Sequence, residues 1–324
     1  MNGTKKIFNN SISSKNIFSI LLFLSIFFSK QLYSFNSNWQ QLSNPPFKIY
    51  YQGTNRKNAS DVNQVLNSLL ASLPRLKEDI GANTNNPIIV YIAPTEDIYR
   101  QFVGENFPDW SEGVASPSKN LVILKSPNIM PDHAEIGKIA IHELTHILLN
   151  KAVHGNPIPR WFNEGLAVYY SGEKAFASGS LISKALITKS IIDLNDIDDV
   201  LVFNRDKAQL AYQESYLAVV YLFEQFGKDK VKELISELGK GHTIDQALLN
   251  VIEMDLCDFE NEWNQYIKKK YRWRFLVDFD NYLWIMMLAL FLLGFLLMRL
   301  RNRRTIKRWE EEDNDWHWEE DGDY

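Results

Sequence analysis

Two histidines and a glutamate stand within five residues near the middle of the chain, in the order His142-Glu143-Leu144-Thr145-His146. On an α-helix, residues four apart lie on the same face, so His142 and His146 can direct two imidazoles at one metal ion. Glu143 can reach the same cavity and take a proton from water at the metal. Such a string arises by chance in roughly one chain in a hundred of this length, so the chemistry needs further support.

The residues around this string predict a buried helix. Asp132 and Glu135 have the spacing of an N-cap and its capping-box partner. Apolar residues then recur at helical spacing up to about Leu149. They are Ile136, Ile139, Ala140, Leu144, Ile147 and Leu148. Burying two histidines and a glutamate costs free energy unless they have partners, and a metal ion supplies one.

Glu164 is the candidate for the third protein ligand that a catalytic zinc site requires beside its open position. The residues between His146 and Glu164 leave room for the end of one helix, a Gly/Pro-rich turn and the start of a second helix. Apolar neighbours such as Trp161 and Leu166 surround Glu164, and a free carboxylate is costly there. The alternative is an ordinary polar residue on an amphipathic helix.

The pairing of HELTH with the later segment WFNEGLAVY (161–169) resembles the gluzincin metallopeptidases, most closely their peptidase MA-like branch. The resemblance runs from about Phe47 to Tyr271. It implies one zinc ion held by His142, His146 and Glu164, with Glu143 as the general base. Some gluzincins carry an acidic residue one helical turn after the third ligand, where it orients a zinc-bound histidine. Val168 stands at that position here, so this orienting group remains unassigned.

The resemblance also implies a catalytic phenol and a substrate-binding strand. Peptidase MA-like domains have a YxQS-type segment, which Tyr212-Gln213-Glu214-Ser215-Tyr216 matches loosely, because Glu214 stands where the glutamine would fall. A phenol near the zinc could donate a hydrogen bond to the oxyanion, with Tyr212 as first choice and Tyr216 as second. Packing in the core is the alternative for both. The strand before the metal helix, Leu121–Lys125, would lie at the sheet edge and pair with the substrate backbone, or be an ordinary strand.

Hydrophobic patterning predicts an α+β domain over 35–275, with a small N-terminal mixed sheet, the helix that carries the HExxH motif and a helical C-terminal lobe, and the resemblance implies that this domain is zincin-like. Alternating or continuous apolar runs predict strands at Phe47–Gln52, Ile88–Ile92 and Leu121–Leu124. Helical spacing predicts helices at Ser60–Ile80, at Ala208–Phe226 with a stop at Gly227, at Lys228–Leu238, and from Thr243 to about Tyr271.

Two apolar stretches predict export and a membrane anchor. Ile17–Phe28 follows three lysines and is too short to span a bilayer, so residues 1–34 are interpreted as a signal peptide or an uncleaved signal anchor. Residues 281–298 carry no charge and are just long enough for a transmembrane helix, whereas a core helix would have a polar face. A basic and then acidic tail follows at 299–324. The positive-inside rule places that tail in the cytoplasm and the domain outside it, in the periplasm or the extracellular space.

Composition excludes several other classes of protein. The 324 residues carry a net charge of −5 and no basic stripe, which argues against a nucleic-acid partner. The single cysteine, Cys257, excludes an internal disulfide and a Cys-ligated zinc cluster, and we predict that it lies in the core. The sequence therefore predicts a membrane-tethered zinc metallopeptidase that hydrolyses polypeptides. The alternative is a non-catalytic membrane receptor or scaffold that retains the zinc site, although such a protein has no need of Glu143.

Overall fold

The computed structural model describes residues 39–53, 56–84, 86–105, 107–130, 135–173, 179–272 and 279–320. The predicted signal segment and Asp132 lie outside these residues. Within them the chain has a small mixed sheet, a larger set of helices, and one long apolar helix near the C-terminus. This α+β architecture agrees with the prediction.

Five strands form one sheet: β1 (Gln40–Asn44), β2 (Phe47–Tyr51), β3 (Ile88–Ala93), β4 (Gly113–Ser116) and β5 (Leu121–Lys125). Their spatial order is β1-β2-β3-β5-β4. The three central strands are parallel, and the two outer strands pair antiparallel with their neighbours. The three predicted strands are confirmed. The outer strands escaped prediction because their short, polar or glycine-containing sequences lack a clear apolar alternation.

Of the two alternatives for Leu121–Lys125, the structure agrees with an ordinary strand, and the expectation that it forms the edge of the sheet is wrong. This strand, β5, is hydrogen-bonded to β3 on one side and to β4 on the other, and all five of its residues are buried. The chain passes through β4 first and then returns antiparallel as β5, which inserts between β4 and β3. In the described sheet the edge nearest the metal helix is therefore β4.

Nine α-helices follow or interrupt these strands in the described residues. They are α1 (Arg56–Ile80), α2 (Glu96–Val103), α3 (Ile136–Ala152), α4 (Arg160–Ser171), α5 (Ser180–Thr188), α6 (Arg205–Gly239), α7 (Ile244–Ile252), α8 (Leu256–Tyr271) and α9 (Phe279–Glu320).

The predicted helices are present, with differences at their ends. α3 begins at Ile136, and Glu135 occupies its N-cap position without a side-chain cap bond. α6 contains a non-helical Gly227 with φ 81°, so two helical segments meet where the sequence predicts a stop. The single helix predicted from Thr243 to Tyr271 is wrong: α7 ends at a left-handed Glu253, and Asp255 caps a new helix, α8. Cys257, on α8, is exposed and does not lie in the core.

Glycines allow the helices around the metal motif to approach closely. Gly165 of α4 faces α6, where a Cβ would overlap with the carbonyl oxygen of Ser215. Gly137 of α3 faces α1 in the same way and leaves room for the hydroxyl of Ser68. Around these crossings the largest side chains are fully buried, with Trp161 stacked on Phe259 at a centroid distance of 5.6 Å. α3 and α4 are therefore held side by side in a tightly packed core.

The C-terminal helix α9 contains one candidate membrane span. Its segment Tyr282–Glu310 contains an 18-residue stretch with a mean hydropathy of 2.3, and none of that stretch is buried against the described protein. A core helix of this apolarity would be mostly covered by protein, whereas this one exposes side chains such as Trp284 and Phe291.

Candidate active site

The two histidines of α3 and the glutamate of α4 converge on one point. The rings of His142 and His146 have centroids 4.9 Å apart, one helical turn from each other. Their Nε2 atoms lie 3.3 Å and 3.4 Å from the same oxygen, Oε2 of Glu164. All three atoms can serve as ligands of a single ion. The close crossing of α4 over α6 at Gly165 keeps α4 at this depth.

The spacing of these three atoms fits zinc. In a tetrahedral site with bonds of about 2.0–2.1 Å, ligand atoms lie about 3.3–3.4 Å apart, which is the separation between Glu164 and each histidine. The two Nδ1 atoms face other partners, so both rings present Nε2 to the common point. The donor set of two imidazoles and one carboxylate is one that zinc accepts.

Two residues outside the predicted set orient the histidines. Glu173 Oε1 accepts a hydrogen bond from His142 Nδ1 at 2.8 Å, and the hydroxyl of Ser171 donates to the same oxygen at 2.8 Å. Asn163 Oδ1 lies 2.9 Å from His146 Nδ1, where it accepts the ring proton. Such partners set the tautomer and direction of a ligating histidine.

Glu173 orients His142, a task for which the position of Val168 offers no carboxylate. Val168 is fully buried among apolar residues, and α4 ends at Ser171 with Gly172 in the left-handed conformation. This turn brings the next residue, Glu173, back toward α3. Periodicity along α4 could not predict the contact because Glu173 lies beyond the helix. The signal in the sequence was a C-cap glycine followed directly by a carboxylate.

Arg160 holds the second oxygen of Glu164. Arg160 lies one helical turn before Glu164, and its guanidinium donates to Glu164 Oε1 at 3.1 Å. Its backbone N–H donates to Asp198 at 2.9 Å. Oε1 is therefore paired with the guanidinium while Oε2 faces the histidines. This division directs one oxygen of the carboxylate to the metal position.

For His142 and Glu164, burial is the largest single influence on the pKa, but the neighbouring groups together outweigh it. Burial lowers the pKa of His142, but Glu173 and Glu164 raise it well above its usual range. Burial raises the pKa of Glu164, but His146, His142 and Arg160 hold it well below its usual range. Both shifts favour positive charge between the carboxylates, which is the place that a divalent cation would occupy.

Glu143 is buried beside the cluster, with 7% of its surface exposed. Burial raises its pKa above the ordinary value, although His142 and His146 counteract part of this effect. A carboxylate with a raised pKa accepts a proton more readily, which suits a general base. The structure thus brings the predicted base to the predicted ligands.

Tyr212 reaches the site and Tyr216 does not. The ring of Tyr212 lies 6.4 Å from that of His142 and 6.1 Å from that of Trp110. Burial and then the charge of Glu164 raise the pKa of its phenol well above 10.0. Tyr216 lies one turn further along α6. Burial and the neighbouring Tyr271 and Tyr169 raise the pKa of its phenol, and neither of these two neighbours belongs to the site.

The rest of the YxQS-like segment anchors the first turn of α5 and the segment that follows α5. Gln213 Oε1 accepts a hydrogen bond from the backbone N–H of Ile182, and the Glu214 carboxylate accepts one from Ile192 at 3.1 Å. Both side chains are fully buried. Their role on the far side of α6 is to hold the connection that leads from α5 to α6.

Comparison with known proteins agrees with this geometry. A family model described as Peptidase MA superfamily matches residues 69–269, which include α3, α4 and most of the helical lobe. Among curated proteins, no match is found. Since the family match covers more than half of the chain and contains the HELTH helix and Glu164, the protein belongs to the Peptidase MA superfamily.

Proposed function

We propose that this protein is a zinc-dependent metallopeptidase, anchored in a membrane by α9, that cleaves polypeptides on the extracytoplasmic side. The family match supports peptidase activity. The observation that carries the proposal is the convergence of His142, His146 and Glu164 with Glu143 buried beside them. A purely structural zinc site has no use for a carboxylate held at its open side.

Each site residue has a distinct task in peptide hydrolysis. When bound, zinc supplies a Lewis acid that polarises the scissile carbonyl and acidifies water. Glu143 takes the proton of the attacking water and returns it to the leaving amine. Tyr212 donates its phenolic hydrogen to the oxygen of the attacked carbonyl as negative charge develops there. Glu173 and Asn163 keep both imidazoles turned toward the metal position.

The edge strand β4 supports polypeptide as the substrate class. Lys125 N–H donates to Glu112 C=O, and hydrogen-bonded pairs alternate along an antiparallel ladder. In the register of β4 with β5, the N–H and C=O groups of Gly113 and Ala115 therefore point away from β5, and among them the Gly113 carbonyl also accepts from Ser111. Main-chain groups at a sheet edge bind an extended peptide with little dependence on its sequence.

The orientation in the membrane rests on charge. Arginines and lysines crowd the C-terminal end of the apolar segment at Arg299, Arg301, Arg303, Arg304, Lys307 and Arg308. Positive residues next to a span remain on the cytoplasmic side. The domain on the other side of the span is then extracytoplasmic, consistent with an export signal in residues 1–34.

The activity is tested with the full chain in detergent, by zinc analysis and digestion of a peptide library. The Glu143→Gln variant keeps the shape of the side chain and removes the base. We expect it to retain about one zinc per chain and to lose activity by roughly 10²–10⁴-fold. If it cleaves as fast as the parent protein, the proposed role of Glu143 is wrong.

Glu164→Ala is the matched variant for the metal itself. We expect zinc content to fall well below one per chain, because two imidazoles alone hold zinc weakly. A parent protein that binds zinc and peptides without cleaving any library member would instead be a receptor or scaffold.

A further inference from the structure

Gly113, on the edge strand β4, lies directly against the proposed base. A Cβ at this position would lie 2.9 Å from Glu143 Oε1, 3.0 Å from Glu143 Cγ and 2.8 Å from Ile139 Cγ2. Real Cβ atoms almost never approach neighbours so closely. The backbone of Gly113 does not adopt a positive φ, so space and not conformation requires a glycine here.

The peptide group of Gly113 is itself fixed from the other side. The hydroxyl of Ser111 donates to Gly113 C=O at 2.7 Å, and the phenol of Tyr99 lies 3.1 Å from the same hydroxyl. Because Ser111 uses its one hydrogen on the carbonyl, Tyr99 donates to Ser111. Tyr99 is fully buried, and the ammonium of Lys125 lies 4.8 Å from its ring centre. β4 therefore cannot easily move away from Glu143.

Glu143 is confined between this wall and the two histidines. It is 7% exposed, and the atoms that touch the Gly113 position are its own Oε1 and Cγ. An added methyl group would have to displace the carboxylate, the side chain of Ile139, or the strand. The strand is held by Ser111 and by its ladder with β5. Ile139 is a buried, β-branched residue on a helix and has little rotamer freedom, so the carboxylate is the part that moves most readily.

We infer that Gly113 is a positioning residue for Glu143: the edge strand forms a wall whose missing side chain sets where the base carboxylate lies relative to the metal ligands. This inference rests on the proposed function. Catalytic groups displaced by about 1 Å can lose roughly 10²-fold in rate, so a single methyl group at this wall is enough to matter.

Gly113→Ala in the zinc-loaded full chain tests the inference. We expect kcat to fall by about 10²-fold with KM and zinc content little changed, because the new methyl group points at Glu143 and away from the outward peptide groups. Val114→Ala is the matched control on the same strand. Its side chain packs on the opposite face of the sheet, so kcat should remain near that of the parent.

A double-mutant cycle separates positioning from general damage. If Gly113 acts through the base, adding Gly113→Ala to Glu143→Gln produces no further loss of rate. Ser111→Ala frees the carbonyl of Gly113 and removes the acceptor of the Tyr99 hydroxyl. It should give a smaller kcat loss that also vanishes in the Glu143→Gln background. An unchanged kcat in Gly113→Ala, or an equal loss in both backgrounds, would overturn the inference.

Thermal unfolding of the metal-free proteins gives a readout that does not depend on activity. Gly113→Ala should lower Tm in the parent and lower it less in a Glu143→Ala background, where two of the three close contacts no longer exist. An equal Tm loss in both backgrounds would show that Glu143 does not occupy this space. If the parent protein cleaves no peptide, the proposed function fails while this cycle still decides the contact.

Discussion

At the scale of single residues, the candidate zinc site depends on groups that never touch the metal position. His142 and His146 can each present Nε2 only while their Nδ1 atoms are held by Glu173 and Asn163. Glu164 is divided between the histidines and Arg160. Orientation by such partners reduces the freedom lost when the metal binds and strengthens the ligands.

Removing the partner of His142 should therefore weaken metal binding. For Glu173→Ala we expect a zinc affinity about 10–100-fold lower than that of the parent, measured by competition with a chelator. Ser171→Ala removes only the hydroxyl that donates to Glu173 and should have a smaller effect. An unchanged affinity in Glu173→Ala would mean that the hydrogen bond does not orient the imidazole.

Glu214 makes stability depend on pH at a site remote from the metal. Burial raises its pKa well above 4.5, and Glu260 and Asp193 add to this, although the bond from Ile192 and Lys207 lower it. The raised pKa means that the unfolded chain releases this proton first as pH rises. The stabilising contribution is present below the unfolded pKa and is lost as pH rises through the folded one.

Glu214→Gln keeps the shape and the acceptor for Ile192 while removing the titration, and glutamine also stands here in the YxQS-type segment. We expect the variant to gain stability over the parent as the pH rises from 5 to 8, by about 1.4 kcal/mol for each pH unit over which the folded Glu214 stays protonated while the unfolded one is ionised. Urea unfolding at the two pH values measures this difference. A gain that does not change with pH would contradict the assigned pKa direction.

At the scale of elements, the crossing of α4 over α6 positions Glu164. Gly165 follows the ligand directly, and its missing side chain lets the backbone of Ser215 approach. A backbone carbonyl cannot rotate away as a flexible side chain can. Gly165 is therefore required for the close packing of α4 on α6, and this packing positions the neighbouring ligand, Glu164.

Gly165→Ala should destabilise the fold, although alanine is the better helix former by about 1 kcal/mol. Overpacking at a site that cannot relax costs about 1–3 kcal/mol, so the net change is a loss. We expect a lower urea midpoint with an unchanged m-value, together with weaker zinc binding. A higher midpoint would show that the helices do not cross this closely.

The order of the strands along the chain does not predict which strand forms the edge of the sheet. The strand just before the metal helix, β5, has a continuous apolar run and inserts between two other strands, and the less apolar β4 becomes the edge. An apolar run indicates burial on both faces, which is a property of an inner strand. The burial of all residues in β5 agrees with its sequence, whereas the expected edge position came only from the resemblance.

At the scale of the whole molecule, α9 is longer than a membrane requires. Its 42 residues correspond to about 63 Å of helix, about twice the hydrocarbon thickness of a bilayer. In the proposed arrangement the apolar part would cover the bilayer and the basic part would continue the helix beyond it. This proposal confines the peptidase domain to substrates close to the membrane.

Membrane attachment can be tested by fractionation. We expect the full chain to remain with membranes after high-salt and alkaline washes, since about 20 apolar residues anchor a helix firmly. A variant with Leu293→Arg and Leu296→Arg interrupts the apolar run, and should be extracted more readily. Equal retention of both proteins would place the anchor elsewhere, for example in the predicted N-terminal segment.

The sequence by itself determined the parts of this protein that depend on local spacing. Residues four apart on one helix predict the two histidine ligands, buried polarity predicts Glu164, and an uncharged apolar run predicts the membrane span. Those inferences need only helical periodicity and the cost of burying charge.

Tertiary structure alone decided the contacts made across elements. Glu173 returns from beyond a helix end, β4 takes the edge from β5, and Gly113 meets Glu143 across the space between a sheet and a helix. No periodicity relates such residues, because the path of the chain in space brings them together.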